Sequence, residues 1–315
     1  MKRQVFLLGI TTVAWLMPAE SSTVWSHMHA RKFCKGEKKR LQAKNEYIFS
    51  QTTTPCTQLL FSWNATRPVQ GYFQFYGQVR NAVTKQWYPW HTMVDWGSDI
   101  QKSYLQKKEG STGYYHVRLE VPMGQSADAF RIRVKPFNGA TLSDLDSLYV
   151  NTVHESRYRP ECAALYASLP SVFLAGVPKK SQRTINHARS KGMCSPTSLS
   201  MLTEYMCKEP MDPLHVAHRV FDKGLDAYGS WPFNTAHAFE ACKGTHNFFV
   251  QRLNTFSDLH ALLMAGTPVI VSVRGTLKGA QKEYKNGHLL LVVGYDQLKK
   301  SVICHDPAFH AHQET

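Results

Sequence analysis

Acidic side chains and long apolar runs are both scarce in this sequence. Asp and Glu number 23 against 37 Lys and Arg in 315 residues, which gives a formal net charge of +14. This charge favours acidic partners through Coulomb attraction but carries no information about the fold. No segment beyond residue 17 has the length and apolar character of a transmembrane helix. A hydrophobic content of 43% with 19% charged residues is near the globular average, which excludes a disordered or fibrous chain.

Closely spaced cysteine pairs are absent as well. The sequence holds seven cysteines but no Cys-x-x-Cys motif, which argues against a zinc site built on paired cysteines. His215-x-x-His218, His237, Cys242 and His246 have ligand-like spacing, so a metal site is an alternative, but we predict neither a metal nor a cofactor. Because seven is odd, at least one cysteine must stay unpaired if the others form disulfides.

The first residues have the pattern of a secretory signal. Positive charge at Lys2 and Arg3 precedes an apolar run over residues 5–17, and Pro18 and small residues follow. We predict a cleaved signal peptide over residues 1–21, with an uncleaved N-terminal anchor as the alternative. The mature chain is then secreted or extracytoplasmic, in the periplasm or at the cell surface, without a stable membrane span. Export permits disulfides and conflicts with nucleic-acid binding, for which the chain has no motif.

The N-terminal half is predicted to be mostly β-structure. Residues 22–54 are basic with little hydrophobic periodicity, so we predict an exposed arm there. Alternating apolar and polar residues from Cys56 to Val153 predict strands, including residues 73–79, 115–121 and 130–134. Turn-rich stretches separate them, which favours an antiparallel β-sandwich over residues 55–155. Trp87, Trp90 and Trp96 either fill its core, which we favour, or form a sugar- or peptide-binding surface.

Helical periodicity appears after about residue 172. Ser195 opens one predicted helix, and residues 257–266 form a second helix with Ser257 as its cap. Predicted strands follow at residues 268–273, 288–295 and 301–305. The fold class is therefore α+β, with a second domain over residues 172–315.

Cys194 lies immediately before the helix that Ser195 opens. Unpaired amide N–H groups and the helix dipole stabilise a thiolate at such a position, which makes the sulfur a nucleophile. Pro196 suits the first turn, where no N–H partner is lost. The alternative is a buried or disulfide-bonded cysteine, as is common in exported chains.

The last two predicted strands bring a base towards an acid. A hairpin centred on residue 297 places His288 directly opposite Asp306. Directly opposed side chains on antiparallel strands lie about 5 Å apart on one face, which allows an imidazole–carboxylate hydrogen bond. A shift of one residue breaks this arrangement. Cys194, His288 and Asp306, in this chain order, are the groups of a cysteine hydrolase.

Four motifs in sequence order carry a family resemblance. They are residues 177–182 (VPKKSQ), 194–199 (CSPTSL), 286–295 (NGHLLLVVGY) and 305–308 (HDPA). Over roughly residues 172–315 the chain resembles the bacteriocin-processing, double-glycine-type cysteine peptidases and their relatives in the papain-like superfamily. Residues 228–236 and the N-terminal sandwich are similar to exported members of this group. Ser195 stands where the family usually has glycine.

The resemblance implies a papain-like cysteine peptidase domain with a defined mechanism. Cys194 attacks a carbonyl, His288 takes the thiol proton and delivers it to the leaving group, and Asp306 orients the imidazole. Gln182 and the Cys194 backbone N–H stabilise the oxyanion. The expected substrate is a peptide or protein, and the basic surface suits association with a cell wall or cell surface.

A non-catalytic binding protein is the alternative. In that interpretation the peptidase fold has lost its catalytic activity, and the aromatic sandwich binds a glycan or peptide. In either case we predict that Cys194 is free. The other six cysteines are candidates for disulfides: Cys34, Cys56, Cys162, Cys207, Cys242 and Cys304.

Overall fold

The structure is a computed structural model that describes residues 24–106, 111–160, 166 and 168–309. The predicted signal peptide over residues 1–21 lies outside the described residues. The strands are β1 (Ser26–Lys32), β2 (Tyr47–Cys56), β3 (Gln58–Ala65), β4 (Tyr72–Asn81), β5 (His91–Gly97), β6 (Gln101–Ser103), β7 (Gly113–Tyr115), β8 (Arg118–Glu120), β9 (Ala127–Phe137), β10 (Leu145–Val153), β11 (Val172–Phe173), β12 (Val269–Gly275), β13 (Tyr284–Asp296) and β14 (Ser301–His305). The helices are α1 (Lys35–Leu41), α2 (Cys194–Cys207), α3 (Pro213–Val220), α4 (Trp231–Ala241) and α5 (Phe256–Met264).

The chain divides into two compact units. The N-terminal unit comprises Val24–Tyr158 and Val220–Arg252, and the C-terminal unit comprises Arg159–Arg219 and the residues from Leu253 onward. This division differs from the predicted boundaries, because residues 220–252 lie within the range assigned to the second domain. Phe233 of α4 explains the difference, since it is fully buried and packs edge-on against Trp63 of β3.

Two five-stranded antiparallel sheets form most of the N-terminal unit. Their strand orders are β1-β10-β3-β8-β7 and β2-β9-β4-β5-β6. Side chains from both sheets meet in one core, where Trp63 of β3 stacks on Phe75 of β4 with ring centroids 4.3 Å apart. The chain is thus a mixture of helices and mostly antiparallel sheets.

An exposed arm was predicted for residues 22–54, but the described part of this range, from residue 24 onward, holds regular structure instead. All of β1 pairs with β10, and much of β2 pairs with β9. Phe33, Leu41 and Phe49 in and between these elements are buried in the core. The lysines and arginines that surround these few apolar positions hide the hydrophobic periodicity in the sequence.

The single strand predicted at residues 115–121 is wrong. β7 and β8 form a hairpin there, with its turn at His116 and Val117. Both turn residues have positive φ angles, 45° and 58°. Two-residue hairpin turns need such angles, but they usually recruit Asn, Asp or Gly rather than valine, so the sequence carried no turn signal.

The three clustered tryptophans divide between the core and the outer face. Trp96 is fully buried among the core aromatics, as predicted. Trp87 and Trp90 are only partly buried, and guanidinium groups stack over their rings. Arg131 lies 3.8 Å from the Trp87 ring centroid, and Arg133 lies 4.3 Å from that of Trp90. The core prediction therefore holds for Trp96 alone.

A small antiparallel sheet organises the C-terminal unit. β11, β12 and β14 all pair with the long strand β13. α5 packs on this sheet through Phe256, Leu259 and Leu263. The helix cap is Thr255 rather than Ser257, because the Thr255 hydroxyl accepts a hydrogen bond from the Asp258 amide and the Asp258 carboxylate accepts one from Thr255. Among the described residues, no helix is both long and apolar enough to cross a bilayer.

The cysteines differ in part from the predicted pairing. Cys194 is a free thiol, as predicted, and Cys207 and Cys242 are each disulfide-bonded. Cys34, Cys56 and Cys304 are also free, so three of the six disulfide candidates are corrected. Cys56 is buried in the core of the N-terminal unit and Cys304 is partly buried against the core of the C-terminal unit, and burial raises the pKa of each thiol to about 12. Cys162 lies outside the described residues.

Candidate active site

Cys194 is the first residue of α2, and the packing of this helix sets its position. Ser198, one turn further on, donates a hydrogen bond from its hydroxyl to the Leu289 carbonyl at 3.2 Å. This contact fastens the start of α2 to β13 beside His288. Ser195 is buried in the first turn and does not have a positive φ, so the backbone does not require glycine there.

His288 lies on β13 directly after a bulge. Tyr284 pairs with Gly275 and His288 pairs with Val273, so three residues of β13 stand opposite one residue of β12. The three extra residues, 285–287, are exposed, and Gly287 has a φ of +89°. A side chain at that φ strains the backbone, which explains the glycine.

The bulge stacks Tyr284 on His288. In a regular strand, side chains four residues apart are separated by about 13 Å. Here the two ring centroids are 4.0 Å apart and the ring planes differ by 13°. Both residues are buried, so the phenol ring covers one face of the imidazole.

Asp306 lies just beyond β14 and accepts hydrogen bonds from three donors. His288 Nε2 is 2.7 Å from Oδ1, and the Ala308 backbone N–H donates to the same oxygen at 2.8 Å. The Tyr284 hydroxyl donates to Oδ2 at 2.5 Å. Asp306 is 5% exposed, so these partners replace the water that its carboxylate loses on burial.

The hairpin register differs from the predicted one. Leu291 pairs with His305 and Val292 with Cys304, and the register shifts before Gly294 pairs with Ile303. His288 therefore does not stand directly opposite Asp306. The contact between them arises because Asp306 lies past the end of β14, in a turn closed by its own hydrogen bond with Ala308.

Charge interactions favour the protonated form of His288. Burial alone lowers its pKa, but hydrogen bonds with Asp306 and with the Cys194 thiol outweigh burial and raise the pKa to about 9. Burial acts on Asp306 in the opposite direction, yet the His288 hydrogen bond and charge, followed by the Tyr284 hydroxyl, lower its pKa. His288 thus has the Asp306 carboxylate as a hydrogen-bond partner and the Cys194 thiol near enough to raise its pKa, and the arrangement can stabilise an imidazolium between two anions.

Gln182 lies near the start of α2, but its amide is already engaged. It is buried, and Nε2 donates to the carbonyls of Ser190 at 3.2 Å and Lys191 at 2.8 Å. An amide nitrogen has two N–H donors, so neither points elsewhere in this rotamer. The Gln182 oxygen Oε1 is buried with no hydrogen-bond partner among the described residues. The structure therefore brings Cys194, His288 and Asp306 together, but not a Gln182 donor.

Sequence reasoning missed Tyr284. The chain offered one faint signal, the Asn286–Gly287 pair, which is typical of a turn or bulge and indicates that β13 is interrupted just before His288. A bulge at that point can turn residues on either side of it to the same face.

We expect Tyr284→Phe to lower the free energy of unfolding by about 1–3 kcal/mol, because the buried Asp306 carboxylate loses a hydrogen bond while the ring stack remains. Denaturant unfolding measures the loss, and NMR titration of His288 reports the change at the imidazole. Tyr295→Phe is the matched control, since Tyr295 is on the same strand, is buried, and donates to the neutral Tyr166 carbonyl. Equal costs in both variants, with unchanged His288 titration, contradict the prediction.

The residues with ligand-like spacing do not form a metal site in the described part of the chain. No group of three or more His, Cys, Asp or Glu side chains there could hold a metal ion. Cys242 is disulfide-bonded and so has no thiolate to offer. His305 is buried, with Nδ1 3.0 Å from the Pro178 carbonyl.

A thiol, an imidazole and a carboxylate connected in this order are the groups that cysteine hydrolases use. Residues 174–315 match the model of the Peptidase_C39 like family. The match covers 142 of the 315 residues and supports a relationship of this part of the chain to C39-type cysteine peptidases. Comparison with curated proteins and with solved structures gave no match.

Proposed function

We propose that the chain is an exported cysteine hydrolase that cleaves a peptide or amide bond through Cys194, His288 and Asp306. The observation that carries the proposal is the position of His288, which hydrogen-bonds to Asp306 through Nε2 and lies close enough to the Cys194 thiol for that group to raise its pKa. A buried histidine that only filled space would not need both partners. The family match over residues 174–315 agrees with this chemistry.

In the proposed mechanism each side chain has one role. Cys194 transfers its proton to His288 and attacks the substrate carbonyl, which forms a tetrahedral intermediate and then an acyl-enzyme. The His288 imidazolium protonates the leaving amine, and a water molecule deprotonated by His288 hydrolyses the acyl-enzyme. Asp306 holds the Nε2 proton and stabilises the imidazolium in both steps. Tyr284 and the Ala308 N–H hold the carboxylate itself in place.

Oxyanion stabilisation needs donors beside Cys194. The first N–H groups of α2 have no partner within the helix, so the Cys194 amide is suited to this role. We retain Gln182 as a second donor, which requires that its amide leave the Ser190 and Lys191 carbonyls when substrate binds. Catalytic hydrogen bonds commonly tighten only in the substrate complex.

We expect Gln182→Ala to lower kcat by about 10²–10³-fold with little change in KM, because a lost oxyanion donor acts on the transition state. Steady-state kinetics and denaturant unfolding should be measured on the same preparation. If Gln182 only stabilises the turn at Ser190 and Lys191, the variant has a lower free energy of unfolding but an unchanged kcat. That result contradicts the proposed role of Gln182 as an oxyanion donor.

A competition between thiols tests the proposal without a known substrate. Cys34 is an exposed free thiol, whereas Cys194 is half-buried. Accessibility alone therefore favours labelling of Cys34. We expect a thiol-directed electrophile to modify Cys194 far faster at neutral pH, because His288 accepts its proton. Mass spectrometry of the labelled peptides gives both rates within one sample.

Control variants distinguish a thiol that is activated by His288 from one that is merely accessible to the reagent. His288→Ala should remove the rate advantage of Cys194 and leave Cys34 unchanged. Cys56 and Cys304, whose burial raises their pKa values, should label slowly in every variant. Slow labelling of Cys194 at or below the rate of Cys34 contradicts an activated nucleophile and favours the non-catalytic binding protein.

Export is part of the proposal. It is supported by the charged and apolar pattern of residues 1–18 and by the two disulfide-bonded cysteines, which persist in oxidising compartments. Peptides or proteins outside the cytoplasm, including those at a cell wall or cell surface, are then the substrates. N-terminal sequencing of the secreted chain tests this, since a start near residue 22 is expected.

A further inference from the structure

Exposed cations are concentrated in the two chain segments that lead to the candidate active site. We define the basic rim as the seven lysines and arginines in two segments, residues 182–194 and 274–288, which lead to Cys194 and His288. All seven are exposed: Arg183, Arg189, Lys191, Arg274, Lys278, Lys282 and Lys285. The same two segments hold a single acidic residue, Glu283. The whole chain has 37 basic and 23 acidic residues, so a ratio of seven to one is a local enrichment and not the average composition.

Backbone contacts place parts of the rim beside each of the three site residues. Lys191 precedes Cys194 by three residues, and its carbonyl accepts the Gln182 amide at 2.8 Å. Lys285 precedes His288 by three residues in the exposed bulge. The Arg274 guanidinium donates to the Lys285 carbonyl at 2.8 Å, so it lies next to that bulge.

Arg183 lies near Asp306, the third residue of the site. Its Nε donates to the Ala308 carbonyl at 2.5 Å, two residues beyond Asp306. Glu283 lies 3.8 Å from Lys285, so it offsets one cation of the rim. Cations of the rim thus lie within three residues of Cys194 and of His288 in the chain, and the Arg183 guanidinium contacts the backbone two residues beyond Asp306.

We propose that the site selects acidic peptide segments, with Asp or Glu on both sides of the cleaved bond. This inference rests on the proposed hydrolase function. Each exposed pair contributes little, but a cluster of one sign produces a potential that raises the local concentration and association rate of an opposite charge by about 10–10³-fold. The interaction is screened by salt, since the Debye length falls to about 3 Å at 1 M ionic strength.

The test uses three fluorogenic peptide libraries with a randomised central dipeptide and flanks of Glu, Gln or Lys. We expect kcat/KM of the wild type to rank Glu above Gln above Lys, with at least a tenfold difference between Glu and Lys flanks. Raising the salt from about 0.02 M to about 0.5 M should remove most of this difference. The double variant Lys191→Gln with Lys285→Gln should reduce the ratio of kcat/KM between the Glu and Lys libraries at low salt.

The matched control removes two cations elsewhere in the same unit. Lys299 and Lys300 lie in the turn that follows β13. This strand ends at Asp296, eight residues beyond His288, which corresponds to about 26 Å along a strand. Lys299→Gln with Lys300→Gln should keep the wild-type ranking. Cleavage without a charge preference, or with the ranking preserved in the rim variant, overturns this inference alone. If none of the three libraries is cleaved in a Cys194-dependent way, the hydrolase proposal fails and the inference fails with it.

Discussion

Cys194→Ala is expected to lower kcat/KM for any cleaved peptide by at least about 10⁴-fold while the fold stays intact. The size of the loss follows from the role of the sulfur, because no other group near His288 can form the acyl-enzyme. The fold should survive since the side chain is only half-buried and the anchor of α2 is Ser198, one turn further on. Profiling a peptide library with wild type and variant measures the effect.

The same variant has a consequence at His288 that does not depend on substrate. The thiol contributes both a hydrogen bond and a charge that raise the pKa of the imidazole. Removing it should therefore lower the His288 pKa, as measured by NMR titration. Cys34→Ala is the control, because it deletes an exposed thiol of the N-terminal unit. Identical cleavage profiles for wild type and Cys194→Ala exclude cysteine-dependent hydrolysis.

Much of the C-terminal unit was predictable because its signals are local. Ser301–His305 has the predicted strand bounds, and α2 begins at Cys194, next to the predicted start. Pro196 in the first turn and a run of apolar residues after it are properties of a few adjacent residues. Such signals do not depend on what packs against the helix.

The geometry around His288 depended on non-local features. The bulge at residues 285–287 and the shift between Val292 and Gly294 both change which side chains face one another. A register argument from residue counting assumes regular strands, so it pairs His288 with Asp306 across the hairpin, although the two residues do not stand directly opposite each other. Tyr284 was missed for the same reason, since only the bulge brings it onto the imidazole.

In the N-terminal unit the sequence-based predictions were wrong where tertiary packing determines the structure. α4 joins the core around Trp63 although it follows the residues of α2 and α3 in the chain. The hairpin at His116 and Val117 uses positive φ angles without the usual residues. Long-range packing overrides local preference in both places, and sequence patterns cannot report it.

Asp306→Asn is expected to lower kcat by about 10³–10⁴-fold and to move the alkaline limit of activity to lower pH. A neutral amide cannot stabilise the imidazolium, and its N–H₂ and C=O cannot both satisfy His288 and Tyr284 as the carboxylate does. In the wild type the His288 pKa is raised from 6.5 to about 9, so the general acid is lost only as the pH rises through about 9.

The shift of this limit follows from the same contacts. Without the Asp306 charge and hydrogen bond, only Cys194 still opposes the effect of burial, so the His288 pKa falls and activity is lost at lower pH. The raised pKa of His288 also contributes to the free energy of unfolding, and this contribution depends on pH in the same direction. It is fully present below pH 6.5 and is lost as the pH rises through about 9, an effect on the order of 3 kcal/mol. Asp296→Asn, at the far end of β13, should preserve the pH dependence of activity and the pH dependence of stability. A variant at Asp306 with the wild-type alkaline limit excludes the carboxylate as the group that sets the charge of His288.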